Sequence, residues 1–113
     1  MKNFNQGDIV LLPYPYTDLS RSKKRPVVII SKDSINRQNL IVAKITFVIR
    51  DDELSFHINQ NEIDIKLRKE SEVRTNELFT VHRSLIIKKI TQFKKATLQK
   101  LISQIKENIS VSP

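Results

Sequence analysis

Short runs of branched apolar residues alternate with polar connections along most of the chain, and the period changes once, near the C-terminus. Ile9 to Leu12 is the first run. It follows Gly7, the only glycine in the sequence, and reads as a strand. Pro13 and Pro15 bar it from continuing as a central strand. Tyr14 and Tyr16 alternate with these prolines, which directs both rings to one side of an extended segment. Thr17 to Lys24 is polar and mostly charged, and reads as a loop. Pro26 opens a second strand, Val27 to Ile30, whose β-branched residues predict burial on both faces. After a polar connection from Ser31 to Asn39, Leu40 to Ile49 is a third strand, with Thr46 near its end. Asp51 to Glu53 is a turn. Ser55 to Ile58 and Glu62 to Leu67 are weaker strands, and Glu70 to Asn76 is a polar loop. Leu78 to Val81 and Leu85 to Ile90 complete the strands, joined by a turn through His82 to Ser84.

The tail has a different spacing. Leu98, Leu101, Ile102, Ile105 and Ile109 recur every three or four residues, the signature of one helix face. The helix is expected from about 95 to 108, covering the open end of the sheet. Many short strands and one terminal helix predict a mainly β fold: a small, strongly bent antiparallel sheet or barrel. The length, 113 residues, fits one domain, 1–113. A core this small favours an oligomer.

Charge adds a statement about partners. Twenty Lys and Arg against 12 Asp and Glu give a net charge of +8, which favours phosphate-bearing ligands. There is no cysteine, so thiolate metal sites and disulfides are excluded. His57 and His82 are the only histidines, and no carboxylate spacing completes a zinc set around them. No apolar run is long enough to span a bilayer, and MKNFNQGDIVLL lacks a signal-peptide layout. The expectation is a cytoplasmic protein without metal, cofactor or membrane contact.

Several residues are candidates for chemistry. Asp18 to Arg25 carries Arg21, Lys23, Lys24 and Arg25 on one loop, suited to phosphate contacts. Arg25 stands directly before Pro26, where an anchored guanidinium can hold a bidentate geometry on phosphate; a surface bridge to Asp18 or Asp33 is the structural alternative. Thr46 interrupts an apolar strand, either as ordinary strand filler or as a hydroxyl aimed at a phosphate. His57 and His82 have the right pKa for acid–base work, yet neither sits in a nucleophile motif. Asp51 and Asp52 read as solvated turn charge. Tyr14 and Tyr16 suit either stacking on bases or barrel packing.

In combination these segments resemble the MazF/PemK family of toxin endoribonucleases. The resemblance rests on GDIVLLPYPYTDLSRSKKRPVVIIS at residues 7 to 31, IVAKIT at 41 to 46 and SEVRTNELFTV at 71 to 81, in that order. It implies an SH3-like (PemK/CcdB-type) barrel with a C-terminal helix, a homodimer, and an antitoxin partner that blocks the RNA groove. It also implies metal-independent cleavage of single-stranded mRNA that leaves a 2′,3′-cyclic phosphate and a 5′-OH. Carried over by position, the catalytic pair is Arg25 and Thr46. The RNA-contacting set is Arg21, Lys23, Lys24, Tyr14, Tyr16, Thr17 and His57. The chain departs from the family where Ser20 replaces a common acidic residue and Arg21 a common glycine. Two other readings stay open: a gyrase poison on the same barrel, and an inactive member that only binds RNA or antitoxin.

Overall fold

The computed structural model describes residues 3–14 and 23–113, Tyr14 through its backbone alone. Tyr16, Thr17, Arg21 and Ser20 lie outside the described residues. Six strands form one antiparallel sheet: β1 (Asp8–Tyr14), β2 (Lys23–Ile29), β3 (Asn39–Thr46), β4 (Ser55–His57), β5 (Glu72–His82) and β6 (Lys88–Gln92). Their order across the sheet is β4-β5-β3-β2-β1-β6. The helix α1 (Lys95–Asn108) follows. The sheet curls into a half-barrel. Its two ends approach each other through the isolated Ile63–Phe93 bridge and the hydrogen bond from Asp64 N to Gln92 O.

Both faces of the sheet are apolar because adjacent residues of β1, β2 and β3 are apolar, so alternation fills both sides. On one face Ile9, Val28, Ala43, Ile45 and Val73 pack with Phe93 and with Leu101 and Ile105 of α1. On the other, Val10, Leu12, Val27, Ile29, Leu40 and Val42 pack with Val81, and Phe4, Phe79, Leu85 and Ile86 close over them. The helix stripe reaches the core through Leu98, Leu101 and Ile105. Ile109 lies past the helix end and is exposed.

Pro13 and Pro26 each lie just past the end of a strand pairing. Ile87 N donates to Leu11 O, so Leu11 turns its backbone toward β6. By alternation Pro13 does the same, two residues beyond the last β1–β6 pair at Leu11–Lys88. β1 therefore runs on through Pro13 to Tyr14, but paired with β2 alone past Leu11, in keeping with the expectation that it cannot continue there as a central strand. Leu11 pairs with Pro26, which turns the backbone of Pro26 toward β3. There one of the two bonds with Ile45 would need a proline N–H, and the β2–β3 pairing stops at Val27–Lys44. β2 nonetheless begins three residues before Pro26, at Lys23, held by β1 alone.

Further expectations fail. The third strand stops at Thr46 and does not reach Ile49, and the last runs Lys88–Gln92, with Leu85 in a 3-10 turn before it. Glu62 to Leu67 is no strand: a 3-10 turn at Gln60–Glu62 and the single bridge at Ile63 replace it. Glu70 to Asn76 is largely strand, because β5 is continuous from Glu72 to His82. A bulge in β5 lies between its pairs with Ala43 and Ile45 and bends the strand across the sheet end. The polar residues there are buried and bonded internally, so polarity misread them as loop.

Gly7 enters β1 at φ 92°, a conformation that costs L side chains energy. Its N–H donates to Ile29 O and its carbonyl accepts from Phe93 N. A Cβ there would lie 2.9 Å from a terminal methyl of Leu98, which can swing aside, so the backbone term dominates. Gly7→Ala is expected to destabilise the fold by about 1–2 kcal/mol in urea denaturation.

Candidate active site

One row of residues crosses the sheet where the β2–β3 ladder ends. Leu12 pairs with Arg25, Thr46 with Glu72, and Glu72 with His57. Extending the β2–β3 register two residues past Val27–Lys44 aligns Arg25 with Thr46. The row then reads Leu12, Arg25, Thr46, Glu72, His57 over β1, β2, β3, β5 and β4. By alternation Arg25 shares the face of Val27 and Ile29, and Thr46 that of Val42. By that extension the two candidate catalytic residues stand opposite each other on one face, two residues past the last β2–β3 pair.

Arg25 is half-buried, and its Nη1 lies 3.4 Å from Lys24 O. The hydroxyl of Thr46 accepts from Val48 N at 3.0 Å, which fixes its rotamer. A hydroxyl also carries one donor, and that donor is the group suited to a phosphate oxygen.

The loop after Thr46 is held by a buried ionic network. The Glu72 carboxylate accepts from Arg50 N and Asp51 N at 3.1 and 3.2 Å, from Ser55 Oγ at 2.7 Å and from Arg74 Nη1 at 2.7 Å. Arg74 also reaches Asp52 through two hydrogen bonds, of 3.0 and 3.2 Å. Its Nε lies 3.5 Å from Glu77. Asp52 is therefore a partner of a buried arginine, which corrects its reading as solvated turn charge. The hydrogen bonds from Arg74 hold the Asp52 carboxyl at about 2, against an ordinary 3.8. Burial pushes Glu72 up, but the bonds from Ser55, Arg74 and the two backbone amides outweigh it and leave it below its ordinary value. The Arg74 guanidinium is raised, through Asp52 first and then Glu72.

The remaining candidates divide. Lys23 and Lys24 are exposed at the start of β2; alternation sends Lys23 to the face of Arg25 and Lys24 to the opposite one. His57 lies in the row two strands from Thr46, about 10 Å away at ordinary strand spacing, with Glu70 3.8 Å from its Nδ1. His82 caps the 3-10 turn at Arg83–Leu85, its Nδ1 accepting from Ser84 N at 3.1 Å, a structural task. Asp33 accepts from Gln6 N. The face that Lys24 shares opens into a cleft of about 560 Å³. Lys24, Lys66, Arg68 and Lys88 rim it over an apolar floor that includes Pro26, Leu67 and Phe47.

A family model described as PemK-like, MazF-like toxin of type II toxin–antitoxin system matches residues 5–109. The chain belongs to this family. Its fold is also that of solved family structures at low identity. MazF from Deinococcus radiodurans aligns with a TM-score of 0.76 at 12% identity, over 98% of this chain and 100% of that one. An endoribonuclease in complex with its cognate antitoxin, from a mycobacterial species, gives 0.74 at 11%, covering 97% and 100%. The Mycobacterium tuberculosis toxin MazF-mt6 gives 0.69 at 18%, covering 89% and 93%. No curated protein matches the sequence.

Within this family fold, sequence reasoning missed Glu72 and Arg74 as a buried pair, although both lie in the SEVRTNELFTV segment. The usable signal was Val73 between them, an apolar residue in strand alternation with two charges. It also missed the rim of the cleft, where Lys66 and Arg68 of one segment meet Lys88 of another.

Proposed function

We propose that this chain is a toxin endoribonuclease that cleaves single-stranded RNA with Arg25 and Thr46. The observation that carries the reading is the register that aligns these two residues at the end of the β2–β3 ladder, in a chain of the MazF/PemK family. RNA supplies its own nucleophile. The 2′-oxygen bonds to phosphorus and loses its proton to water. The bond from phosphorus to the 5′-oxygen breaks, and that oxygen takes a proton from water. The products are a 2′,3′-cyclic phosphate and a 5′-OH, and no step calls for a metal. Arg25 stabilises the negative charge that grows on the phosphate and hydrogen-bonds the leaving oxygen. Thr46 donates to a non-bridging oxygen and keeps attack in line. Lys23 and His57, on the same face, contact the flanking strand. Tyr14, Tyr16, Thr17 and Arg21 join them as RNA contacts by family position.

The same reading makes the protein a homodimer, held by an antitoxin that covers the RNA site. The Deinococcus radiodurans MazE–MazF structures and the mycobacterial complex support the antitoxin partner. Among the described residues no helix is long and apolar enough to cross a membrane, which agrees with a cytoplasmic target. The test is incubation of pure protein with RNA in EDTA, followed by mapping of new 5′ ends. Ends carrying 5′-OH at one short recurring sequence are expected. Intact RNA under these conditions would overturn the assignment and leave gyrase inhibition as the activity to measure.

A further inference from the structure

The cleft rimmed by Lys24, Lys66, Arg68 and Lys88 is on the sheet face opposite Arg25 and Thr46, yet it touches the same sheet end. Lys24 and Phe47 are the chain neighbours of Arg25 and Thr46, one residue away on each strand. Both line the cleft. The cleft and the candidate catalytic pair therefore share one end of the sheet.

The lining is built for a polyanion with flat apolar groups. All four cations are exposed, and no described carboxylate forms an ion pair with any of them. Other surface cations, Lys44 and Lys89, are paired with Glu77 and Asp8. No acidic residue is among the lining residues. Phe47 is 42% exposed, and Lys69 Nζ lies 5.5 Å from its ring centroid. An aromatic face flanked by cations is the arrangement that holds single-stranded nucleic acid, through base stacking and phosphate contacts.

We propose that this cleft is an RNA subsite: it binds nucleotides flanking the scissile phosphate, with Phe47 stacking on a base and Lys66, Arg68 and Lys88 on phosphates. The inference rests on the RNA-cleaving reading above, but its test does not need cleavage. The probe is a fluorescein-labelled pool of random-sequence 2′-O-methyl RNA, which lacks the nucleophilic hydroxyl. Fluorescence anisotropy over a salt series compares wild type, Lys66→Gln/Arg68→Gln/Lys88→Gln, and a control, Lys95→Gln/Lys100→Gln/Lys106→Gln, with the same charge change on α1. Circular dichroism verifies that each variant is folded.

The cleft variant is expected to bind roughly tenfold more weakly at moderate salt, with a log–log salt slope shallower by about 2, since each single-strand phosphate contact contributes about 0.7. The helix variant keeps nearly the wild-type affinity. Equal losses in both variants would reduce the effect to net charge and overturn the subsite. So would unchanged RNA binding, including the case where the cleft variant instead loses affinity for an acidic antitoxin peptide. Failure of wild-type RNA cleavage in the separate EDTA assay sinks the catalytic reading and leaves the anisotropy result standing by itself.

Discussion

Replacing Arg25 with alanine is expected to slow RNA cleavage by about 10²–10³-fold, the usual loss when one preorganised donor to a developing anion is removed. Arg25 is half-buried near the start of β2, where its backbone pairs with Leu12 of β1. Its loss should leave the urea midpoint close to wild type, so the defect is chemical. Arg25→Lys should recover little, because a single ammonium cannot reproduce the planar fork that grips two oxygens. Thr46→Val removes a neutral donor and should cost roughly 10–100-fold, whereas Thr46→Ser keeps the hydroxyl and most of the rate. Single-turnover cleavage of one defined RNA measures all three. Wild-type rates in Arg25→Ala would refute its assignment to the chemistry.

Arg74→Ala should have the largest effect on stability, a loss of about 3–5 kcal/mol in urea denaturation, because it strands a buried carboxylate. The side chains of Arg74 and Glu72 are 4% and 1% exposed. Without the guanidinium, Glu72 keeps its amide and Ser55 donors but loses its counter-charge. The same network gives a pH signature. Asp52 and Glu72 both titrate lower folded than unfolded, so their contribution is complete above the unfolded values and disappears as pH falls through the folded ones. Wild-type stability should therefore decline from near 4.5, the ordinary value for Glu72, toward about 2, where Asp52 protonates. Arg74→Ala should flatten that decline. A variant with wild-type stability and wild-type acid sensitivity would show that the network holds nothing together.

The fold was largely legible because apolar runs in β1, β2 and β3 are buried on both faces and the helix stripe is strictly periodic. What was not legible has a common physical origin. Strand propensity assumes that a polar residue faces water, but Glu72, Arg74 and Thr75 are buried and hydrogen-bonded to partners 20 or so residues away in sequence, at Asp52, Leu54 and Ser55. Pro13 fits its reading as a bar to a central strand, since past Leu11 β1 pairs with β2 alone. A proline's effect depends on which side of the strand lacks a neighbour, and that is a property of the sheet. Arg25 and Thr46 were individually ambiguous from the residues, since a surface guanidinium and a strand hydroxyl are common. Their alignment is a matter of register, and it is the pairing of Val27 with Lys44 that brings them into one row.

The termination of the β2–β3 ladder at Pro26 has a consequence for substrate entry. In a continuous sheet, any ligand wedging between neighbouring strands must first break main-chain bonds, each with a net worth of about 1 kcal/mol. Here Pro26 supplies no donor, so the β2–β3 pairing goes no further than Val27–Lys44, and a ligand at Arg25 and Thr46 has no strand pair between them to break. The carbonyl of Ile45, opposite the ring by register, is thereby spared a strand partner. A single imino acid thus works as a stop: it sets the residue at which the pairing of β2 with β3 ends.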